Sequence, residues 1–422
     1  MGPLGHSLAA LSAAAGLPLG LAALAAKPGW RPGLGERLGA RPTATPGCVW
    51  IHGASVGEVR AALRLLDAFA ARGTAVAASA STIAGRDLLR RERPAIPSGL
   101  APLDHPWSVE RAFRRTPAAL LALVETELWP SWIRGAREHG AACAIVSGRL
   151  SDRSFPRYRR ARALLRPTLC RLAAIGARSP LDAERFAALG APAERIEVTG
   201  DLKLDPPASP PALAPDLAAA LGAVPLIVAG STHAGEEEAA LGALAAAREA
   251  GLPAALALAP RHADRFDDVA ALVAARGLPL QRRSRGAPRP LAAGDVLLVD
   301  TIGELAALYG AAAVGFVGGT LAPRGGHSVV EPAQAGRAPL FGPSTENTRD
   351  AADLLLARGG ARRVADAAEL AAAVVEALRD PAAAAARGER ARDALAPHRG
   401  ATARTIALLE RVLAASRARE AR

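Results

Sequence analysis

The chain has 422 residues, half of them apolar, which is enough for two domains that each bury a hydrophobic core. Aromatic residues make up 3% of the chain, so few side chains can stack on bases, and single-stranded nucleic-acid binding is disfavoured. The net charge of +12 implies an acidic partner, and charge alone leaves nucleic acid, an anionic membrane and a phosphorylated substrate open.

The cysteines constrain the redox and metal chemistry. Cys48, Cys143 and Cys170 are odd in number and widely spaced in apolar surroundings. This pattern argues against a disulfide framework or a zinc cluster and favours a reducing compartment.

The N-terminal stretch predicts a membrane attachment. Residues 2–26 contain no Asp, Glu, Lys or Arg, and basic residues follow from Lys27 onward. This order favours an uncleaved anchor at residues 1–26, with the rest of the chain on the cytoplasmic side. Its many alanines and glycines leave open whether it spans the bilayer or lies on its surface. A cleaved signal sequence is the alternative, but no basic residue precedes the apolar part.

Short apolar runs alternate with helical patterns along most of the chain, which predicts parallel sheets covered by helices on both faces. One helix is predicted over residues 59–71 and another over residues 180–189, with Ser179 as its N-cap. The predicted strands are residues 49–52, 76–79, 120–124, 144–147, 173–176, 196–199, 226–229, 254–258, 296–299, 313–317 and 339–341.

Prolines divide this α/β pattern into two doubly wound, Rossmann-like domains. Residues 205–215 are proline-rich and read as a linker. The first domain is predicted over residues 27–204 and the second over residues 216–381. Helices over residues 382–422 would partly return to the first domain. The two domains should face each other across a cleft, with the carboxyl ends of their strands pointing into it.

The first predicted strand ends in a loop of small residues that includes Ser55 and Gly57 and delivers Glu58 to the first turn of a helix. A carboxylate at a helix start ordinarily has a capping role. At the carboxyl end of a strand it can also act as a general base toward an attacking hydroxyl.

Further charged groups follow other strands of the first domain. Glu125 and Glu127 come directly after a buried strand and share one face, where they can orient a basic partner or balance a developing cation. They could equally be surface charges at a loop edge. Arg149 follows the next strand, and Lys203, which could simply be solvated, precedes the linker.

The second domain carries glycine-rich loops after its strands. Ser231 and Thr232 lie in a small-residue loop that can cradle an anion, and Arg261 follows Pro260 at the end of another strand, where it could grip a phosphate. The longest motif runs from the strand at 313–317 through residues 325–328 into a short helix beginning near Val329. Its helix start can attract a phosphate or carboxylate, although packing turns alone would also explain the glycines.

Taken together, these stretches resemble the 3-deoxy-D-manno-octulosonic acid (Kdo) transferases of lipopolysaccharide synthesis, inverting glycosyltransferases with the two-domain GT-B fold. The resemblance runs nearly from end to end of the chain. The stretches that carry it are residues 28–31, 35–39, 52–58, 125–130, 149–151, 200–203, 231–233, 260–262, 303–305 and 325–332.

The resemblance implies catalytic roles for four residues. Glu58 matches the base that deprotonates the acceptor hydroxyl, while Glu125, Glu127 and Lys203 match positions that support the transition state. The donor would be CMP-Kdo and the acceptor a lipid A precursor, lipid IVA, at the anionic surface of the inner membrane. No cofactor, metal or nucleic acid is expected.

The resemblance also implies two sets of binding residues. The acceptor contacts would be Ser55, Gly57 and Arg149. The donor contacts would be Ser231, Thr232, Pro260, Arg261, Gly303, Glu304, Leu305, Gly325, Gly326, His327, Ser328, Val329, Val330 and Glu331.

Three positions depart from the family's pattern. Ser147 and Ser328 stand where the family usually has Asn, and Ser344 stands where it usually has His. The hydrogen bonds made at these positions must therefore differ or be shortened. None of the three departures removes a proposed catalytic carboxylate.

Other functions remain open at the level of sequence. Another GT-B enzyme, such as a nucleotide-sugar transferase of cell-wall synthesis or a sugar-nucleotide 2-epimerase, would replace CMP with UDP. A non-catalytic membrane protein could bind anionic glycolipid through the same basic face. A nicotinamide dehydrogenase is disfavoured because no Gly-x-Gly-x-x-Gly follows the first strand.

Overall fold

A computed structural model of the chain describes residues 32–205 and 212–420. The predicted anchor at residues 1–26 lies outside the described residues. Within these two ranges, no helix is both long and apolar enough to cross a membrane. The described chain forms two compact units, residues 32–205 with 400–420, and residues 212–399.

The first unit is built on a seven-stranded parallel sheet in the order β3-β2-β1-β4-β5-β6-β7. Its two middle strands, residues 48–53 and 118–124, are buried along their whole length, as expected for strands with both faces covered. Two hydrophobic clusters line its sides. The strands are β1 (Cys48–Gly53), β2 (Val76–Ala80), β3 (Ser98–Leu100), β4 (Ala118–Val124), β5 (Ala142–Gly148), β6 (Ala174–Ala177) and β7 (Ile196–Val198).

Helices of the first unit follow most of these strands, as the alternation predicts. The predicted Ser179 cap is present, because its hydroxyl accepts a hydrogen bond from the Asp182 amide. The helices are α1 (Leu34–Arg37), α2 (Val56–Ala71), α3 (Ile83–Glu92), α4 (Pro106–Arg115), α5 (Pro130–Glu138), α6 (Phe155–Arg160), α7 (Arg162–Leu169) and α8 (Pro180–Ala188).

The second unit contains another seven-stranded parallel sheet, in the order β10-β11-β9-β8-β12-β13-β14. Its strands are β8 (Leu226–Thr232), β9 (Ala255–Pro260), β10 (Leu280–Arg282), β11 (Val296–Leu298), β12 (Val314–Val317), β13 (Pro339–Phe341) and β14 (Arg362–Arg363). Its helices are α9 (Pro215–Ala220), α10 (Glu236–Glu249), α11 (Phe266–Ala275), α12 (Leu305–Ala311), α13 (Val330–Gln334), α14 (Arg349–Ala357), α15 (Ala367–Arg379) and α16 (Pro381–Leu395).

The C-terminal helix α17 (Ala401–Glu420) belongs to the first unit. Asp205 fixes its start by accepting hydrogen bonds from the amides of Gly400 and Thr402, both at 2.7 Å. Leu409 of this helix is fully buried in the same cluster as strand β4. The helix therefore forms part of the first unit's core.

The structure moves two sequence-based boundaries. The predicted linker ran to residue 215, but α9 already begins at Pro215, because proline is well tolerated at the first position of a helix. The predicted second domain ended at residue 381, whereas the second unit extends to residue 399 and includes α16. Only α17 joins the first unit.

In each sheet the strand order reverses at one pair of neighbouring strands, from which the chain winds outward to opposite edges. In the first unit this switch lies between β1 and β4, and in the second between β8 and β12. In open α/β sheets, ligands bind at the carboxyl ends of strands beside such a switch. The loops after these four strands therefore define where a site is expected in each unit.

Candidate active site

The loop after β1 presents Glu58 from a capped helix start. Ser55 is the N-cap of α2, and its hydroxyl accepts a hydrogen bond from the Glu58 amide at 3.3 Å. The Glu58 carboxylate accepts from the Ser55 hydroxyl at 2.8 Å and from the Ala54 amide at 2.7 Å. This reciprocal pattern resembles a capping box, except that the carboxylate binds the Ala54 amide and not the amide of the N-cap residue. A carboxylate has about four acceptor positions, so the capping role leaves lone pairs for a substrate proton.

Lys203 and Glu125 form an ion pair beside this helix start. The Lys203 ammonium contacts Glu125, and its Nζ lies 3.6 Å from where a Cβ on Gly57 would be. Burial raises the pKa of Glu125; Lys203 opposes that shift and the charge of Glu58 adds to it. Burial acts to lower the pKa of Lys203, but the nearby carboxylates of Glu125 and Glu58 outweigh burial and raise it. These groups therefore form one electrostatic cluster.

Glu127 is the second carboxylate after β4. Burial raises its pKa; a hydrogen bond from the Trp129 indole opposes this shift, and the charges of Glu58 and Glu125 add to it. His52 Nε2 lies 4.0 Å from Glu127, but burial lowers the pKa of His52 to about 3. His52 is therefore neutral near pH 7, and its contact with Glu127 is not an ion pair.

The loop after β5 is tied to the same edge of the sheet. The Thr126 hydroxyl donates a hydrogen bond to the Arg149 carbonyl. The Ser147 hydroxyl donates to Asp201 at 3.4 Å and accepts from the Leu202 amide at 3.2 Å. Serine thus still holds the segment that carries Lys203, at a position where the family usually has Asn.

In the second unit, Glu236 organises the loop after β12. It is 1% exposed, and its carboxylate accepts hydrogen bonds from the His233 amide at 2.9 Å and the Gly319 amide at 2.7 Å. The amides of Thr320, Leu321 and Ala322 donate to the same carboxylate at 2.9, 2.9 and 3.1 Å. The anion cradled by these amides is therefore the protein's own carboxylate, so they are not available to a phosphate.

Two histidine side chains contact each other beside this loop. His233 Nε2 and His327 Nε2 lie 2.9 Å apart, and the two rings are parallel, with an interplanar angle of 2°, and meet edge to edge. One nitrogen must donate and the other accept, so at least one of the two rings is neutral. Burial lowers the pKa of His233, with the charge of Glu236 opposing the shift. Gly319 leaves space for the His327 ring, because a Cβ at residue 319 would lie 2.8 Å from that ring.

The predicted donor contacts after β8 and β9 lie next to one another. The strands pair Thr232 with Pro260, and the Arg261 amide donates to the Thr232 carbonyl at 3.0 Å. The buried Thr232 hydroxyl donates to Glu237 at 2.8 Å, whereas the Arg261 side chain is exposed. Arg261 is therefore the group on this edge that is open to a phosphate.

The three predicted donor contacts at residues 303–305 differ in their surroundings. Leu305 packs over the end of β8, because a Cβ on Gly230 would lie 2.7 Å from its side chain. Glu304 accepts hydrogen bonds from Arg283 at 3.0 and 3.2 Å, while the Gly303 backbone is exposed. Arg283 and a threonine hydroxyl hold the pKa of Glu304 below its usual value, against the opposing effect of burial.

The glycine motif ends in a short helix, as predicted. Helix α13 begins at Val330, preceded by the exposed Ser328 and the buried Val329, and it places Glu331 in its first turn. Upstream, the Gly325 amide donates to the Ser344 hydroxyl at 2.8 Å, at a position where the family usually has His. The amide of Gly326 donates to the Gly319 carbonyl at 2.8 Å, which joins the motif to the loop that Glu236 organises.

Three site residues share an unusual backbone conformation. Among the residues that the structure describes, the non-glycine residues with positive φ are Glu125 (64°), Ser147 (52°) and Ser231 (55°). Each lies at or just after the carboxyl end of a sheet strand. Left-handed conformations cost free energy in residues with a Cβ, and they are concentrated at functional sites.

The sequence alone predicts no role for four polar residues at these sheet edges, which are His52, Asp201, His233 and Glu236. Each is buried and polar at the end of a strand or the start of a helix, and burial of this kind is not visible in sequence alone. No cluster of His, Cys, Asp and Glu that could hold a metal occurs in the described part of the chain.

Comparison with solved structures identifies the fold class. The chain superposes on Acinetobacter baumannii MurG with a TM-score of 0.52, at 15% identity and covering 87% of this chain and 100% of MurG. For the calicheamicin glycosyltransferase CalG4 the TM-score is 0.51, at 13% identity and covering 88% and 99%. Together with the two parallel sheets, these matches define the GT-B fold of glycosyltransferases.

Sequence relatives identify the family within that class. A family profile described as 3-deoxy-D-manno-octulosonic-acid transferase (kdotransferase) matches residues 32–206. The chain is 37% identical over 388 residues to the 3-deoxy-D-manno-octulosonic acid transferase of Bordetella pertussis, covering 89% of this chain and 90% of the relative. It is 31% identical over 398 residues to that of Haemophilus influenzae, covering 91% and 92%. The chain belongs to the 3-deoxy-D-manno-octulosonic acid transferase family.

Proposed function

We propose that this enzyme transfers Kdo from CMP-Kdo to the lipid A precursor lipid IVA, with inversion at the anomeric carbon. The observation that carries the proposal is the near full-length match to the Bordetella pertussis transferase. The charged cluster at the switch point of the first unit supports it, because a base and a balancing cation stand together there.

Glu58 is the proposed general base. A lipid A hydroxyl loses its proton to Glu58 as its oxygen attacks the anomeric carbon of Kdo, and CMP leaves from the opposite face. The capping hydrogen bonds from Ser55 and Ala54 fix the carboxylate in one orientation. Such fixation keeps the acceptor oxygen and the base in a reactive arrangement.

Lys203, Glu125 and Glu127 adjust the charge around this base. The ion pair between Lys203 and Glu125 places a positive charge near Glu58, because Glu58 itself contributes to the raised pKa of Lys203. Ser55, Gly57 and Arg149 lie on the same edge and are the proposed acceptor contacts.

The second unit is proposed to bind the donor. Arg261 is exposed at the end of β9, where it can pair with the phosphate of CMP. Glu331 is the proposed acceptor of sugar hydroxyl hydrogen bonds. Because Glu236 fills the amides of the loop after β12, we place the leaving phosphate near Arg261 and Ser328 rather than on that loop.

We further propose that catalysis needs no metal or other cofactor and that the enzyme acts at the cytoplasmic face of the inner membrane. Leaving-group charge is then balanced by protein cations. Addition of a chelator should leave turnover unchanged, and loss of activity that added magnesium restores would contradict this part of the proposal.

The test is incubation of the detergent-solubilised protein with CMP-Kdo and tetraacylated lipid A precursor, followed by mass spectrometry of the lipid. A gain of one or more Kdo masses with release of CMP is the expected result. UDP-N-acetylglucosamine replaces CMP-Kdo in the matched control, which should give no product. Transfer from the UDP donor, without transfer from CMP-Kdo, would overturn the assignment.

A further inference from the structure

The chain between β5 and β6 carries a dense run of arginines that the site does not use. Six of them fall between residues 153 and 166, and no acidic residue occurs from residue 153 to residue 181. The nearest acid upstream, Asp152, is already paired with Arg185. The positive charge of this segment is therefore not neutralised by its own sequence. The arginines are Arg153, Arg157, Arg159, Arg160, Arg162 and Arg166.

The same segment exposes an apolar side chain among these charges. Leu164, on α7, is 80% exposed, and all six arginines are exposed as well. Exposed leucine surrounded by arginine is typical of segments that lie at a membrane interface, where the leucine enters the acyl boundary and the guanidinium groups meet lipid phosphates.

The opposite side of the segment is fixed to the protein core. Phe155, Tyr158 and Leu165 pack against the hydrophobic cluster on one side of the first sheet, and Leu169 is fully buried in it. The arginines and Leu164 therefore project from a supported surface of α6 and α7.

The position of the segment links it to the acceptor. It follows the carboxyl end of β5, the neighbour of β4, whose end carries Glu125 and Glu127. The hydrogen bond from Thr126 to the Arg149 carbonyl joins the two loops. A lipid acceptor is drawn from a bilayer, so the edge that carries the catalytic carboxylates must approach the lipid surface.

We propose that α6 and α7, with the preceding Arg153, form a membrane-docking surface that binds anionic phospholipid headgroups and inserts Leu164 at the bilayer interface. The inference rests on the proposed function in one respect, which is that the acceptor is a membrane lipid. Recognition combines arginine with lipid phosphate and should weaken as salt is raised.

The first test reads membrane contact at residue 164 directly. Leu164→Cys is labelled with an environment-sensitive fluorophore in a full-length Cys170→Ser background, since Cys48 and Cys143 are buried. The control carries the label at Arg276→Cys, an exposed position in the second unit. With vesicles of phosphatidylethanolamine and phosphatidylglycerol, a blue shift is expected at 164 and none at 276. If the protein floats with the vesicles but the label at residue 164 shows no blue shift, the proposal is wrong. A blue shift with single-stranded RNA and none with vesicles would also overturn it.

The second test asks whether the arginines drive binding. Arg157→Glu with Arg160→Glu should weaken the vesicle response of the label at 164 at least about tenfold, given the attraction expected per basic residue near an anionic surface. The matched control changes Arg276 and Arg285, also exposed, to Glu, and should leave that response intact. An equal loss of the vesicle response in both double variants would show that only net charge matters. That result would overturn the assignment to α6 and α7.

Neither readout depends on turnover, so both can succeed even where Kdo transfer fails. If transfer is observed, the Arg157→Glu and Arg160→Glu protein should match the parent in detergent and lose activity only on anionic vesicles. Equal activity on both would argue against a docking role for the segment.

Discussion

The loops after β1 and β8 share a local sequence pattern, but the glutamate that follows each loop makes different hydrogen bonds. In both, a strand runs into small residues and then into a helix with glutamate in its first turn. Glu58 hydrogen-bonds within its own helix start, to Ser55 and Ala54. Glu236 reaches across the second unit to the amides of Gly319 through Ala322. The role of a carboxylate at a helix start therefore depends on the loop that packs against it.

The consequence differs for each glutamate. Glu58 keeps acceptor positions open beside a lysine ion pair, so its carboxylate can take part in proton transfer. The Glu236 carboxylate is saturated by five backbone donors and buried, so it can only position the loop.

The largest expected effect is on stability, from Glu236→Ala. The change leaves five N–H groups without their acceptor, three of them in buried residues, which should cost at least about 3 kcal/mol. Hydrogen exchange of the peptide covering residues 318–322 should show the loss of protection directly. All five tryptophans precede residue 206, so their fluorescence reports whether the first unit remains intact.

Glu238→Ala is the matched control for that experiment. Glu238 sits on the same helix but is exposed, and it accepts one hydrogen bond, from the Gly235 amide at 3.0 Å. Its loss should cost no more than about 1 kcal/mol. Similar exchange at 318–322 in both variants would show that Glu236 does not organise the loop.

Glu58→Gln should act on rate instead. Glutamine keeps the size of the side chain and an acceptor oxygen but is too weakly basic to take the proton, so turnover should fall at least about a hundredfold. Thermal unfolding should be close to that of the parent. Near-normal turnover would remove Glu58 from the role of base.

The central strands, and the sheet edges at which the site residues lie, could be predicted from the sequence for a physical reason. Strands such as β4 are buried on both faces and therefore form continuous apolar runs. The strands absent from the prediction are β3, β10 and β14, which are short edge strands. Two of them, β10 and β14, carry arginine, because an edge strand is only partly covered and need not be apolar.

The roles of individual polar residues were less accessible. The ion pair between Lys203 and Glu125 joins residues 78 positions apart. The sequence places both residues after predicted strands, but it does not predict that they pair. The bonds to Glu236 span 83 to 86 positions and depend on the path of an irregular loop. No periodicity or composition encodes such a path.

Lys203→Met should shift the pH dependence of the reaction. Lys203 opposes the burial that raises the pKa of Glu125, so without it that pKa rises further. A larger fraction of Glu125 is then protonated at a given pH. The acid limb of kcat/KM should therefore move to higher pH, and the loss of kcat/KM should be largest on the acidic side of the profile. Combining it with Glu125→Gln should abolish the shift of the limb. A limb that stays shifted in the double variant would assign the titration to another group.

The smallest expected effect separates capping from catalysis at Ser55. Ser55→Ala removes the N-cap of α2 and should cost about 1 kcal/mol of stability. Ser179→Ala removes the same two serine hydroxyl hydrogen bonds at the start of α8, where the hydroxyl accepts from the Asp182 amide at 3.1 Å and donates to its carboxylate at 2.5 Å. Both variants should therefore lose similar stability in denaturant unfolding. Only Ser55→Ala should also slow turnover, by a few-fold, because it frees the carboxylate of the base from one of its two orienting hydrogen bonds. Equal turnover in the two variants would mean that the Ala54 amide alone orients Glu58.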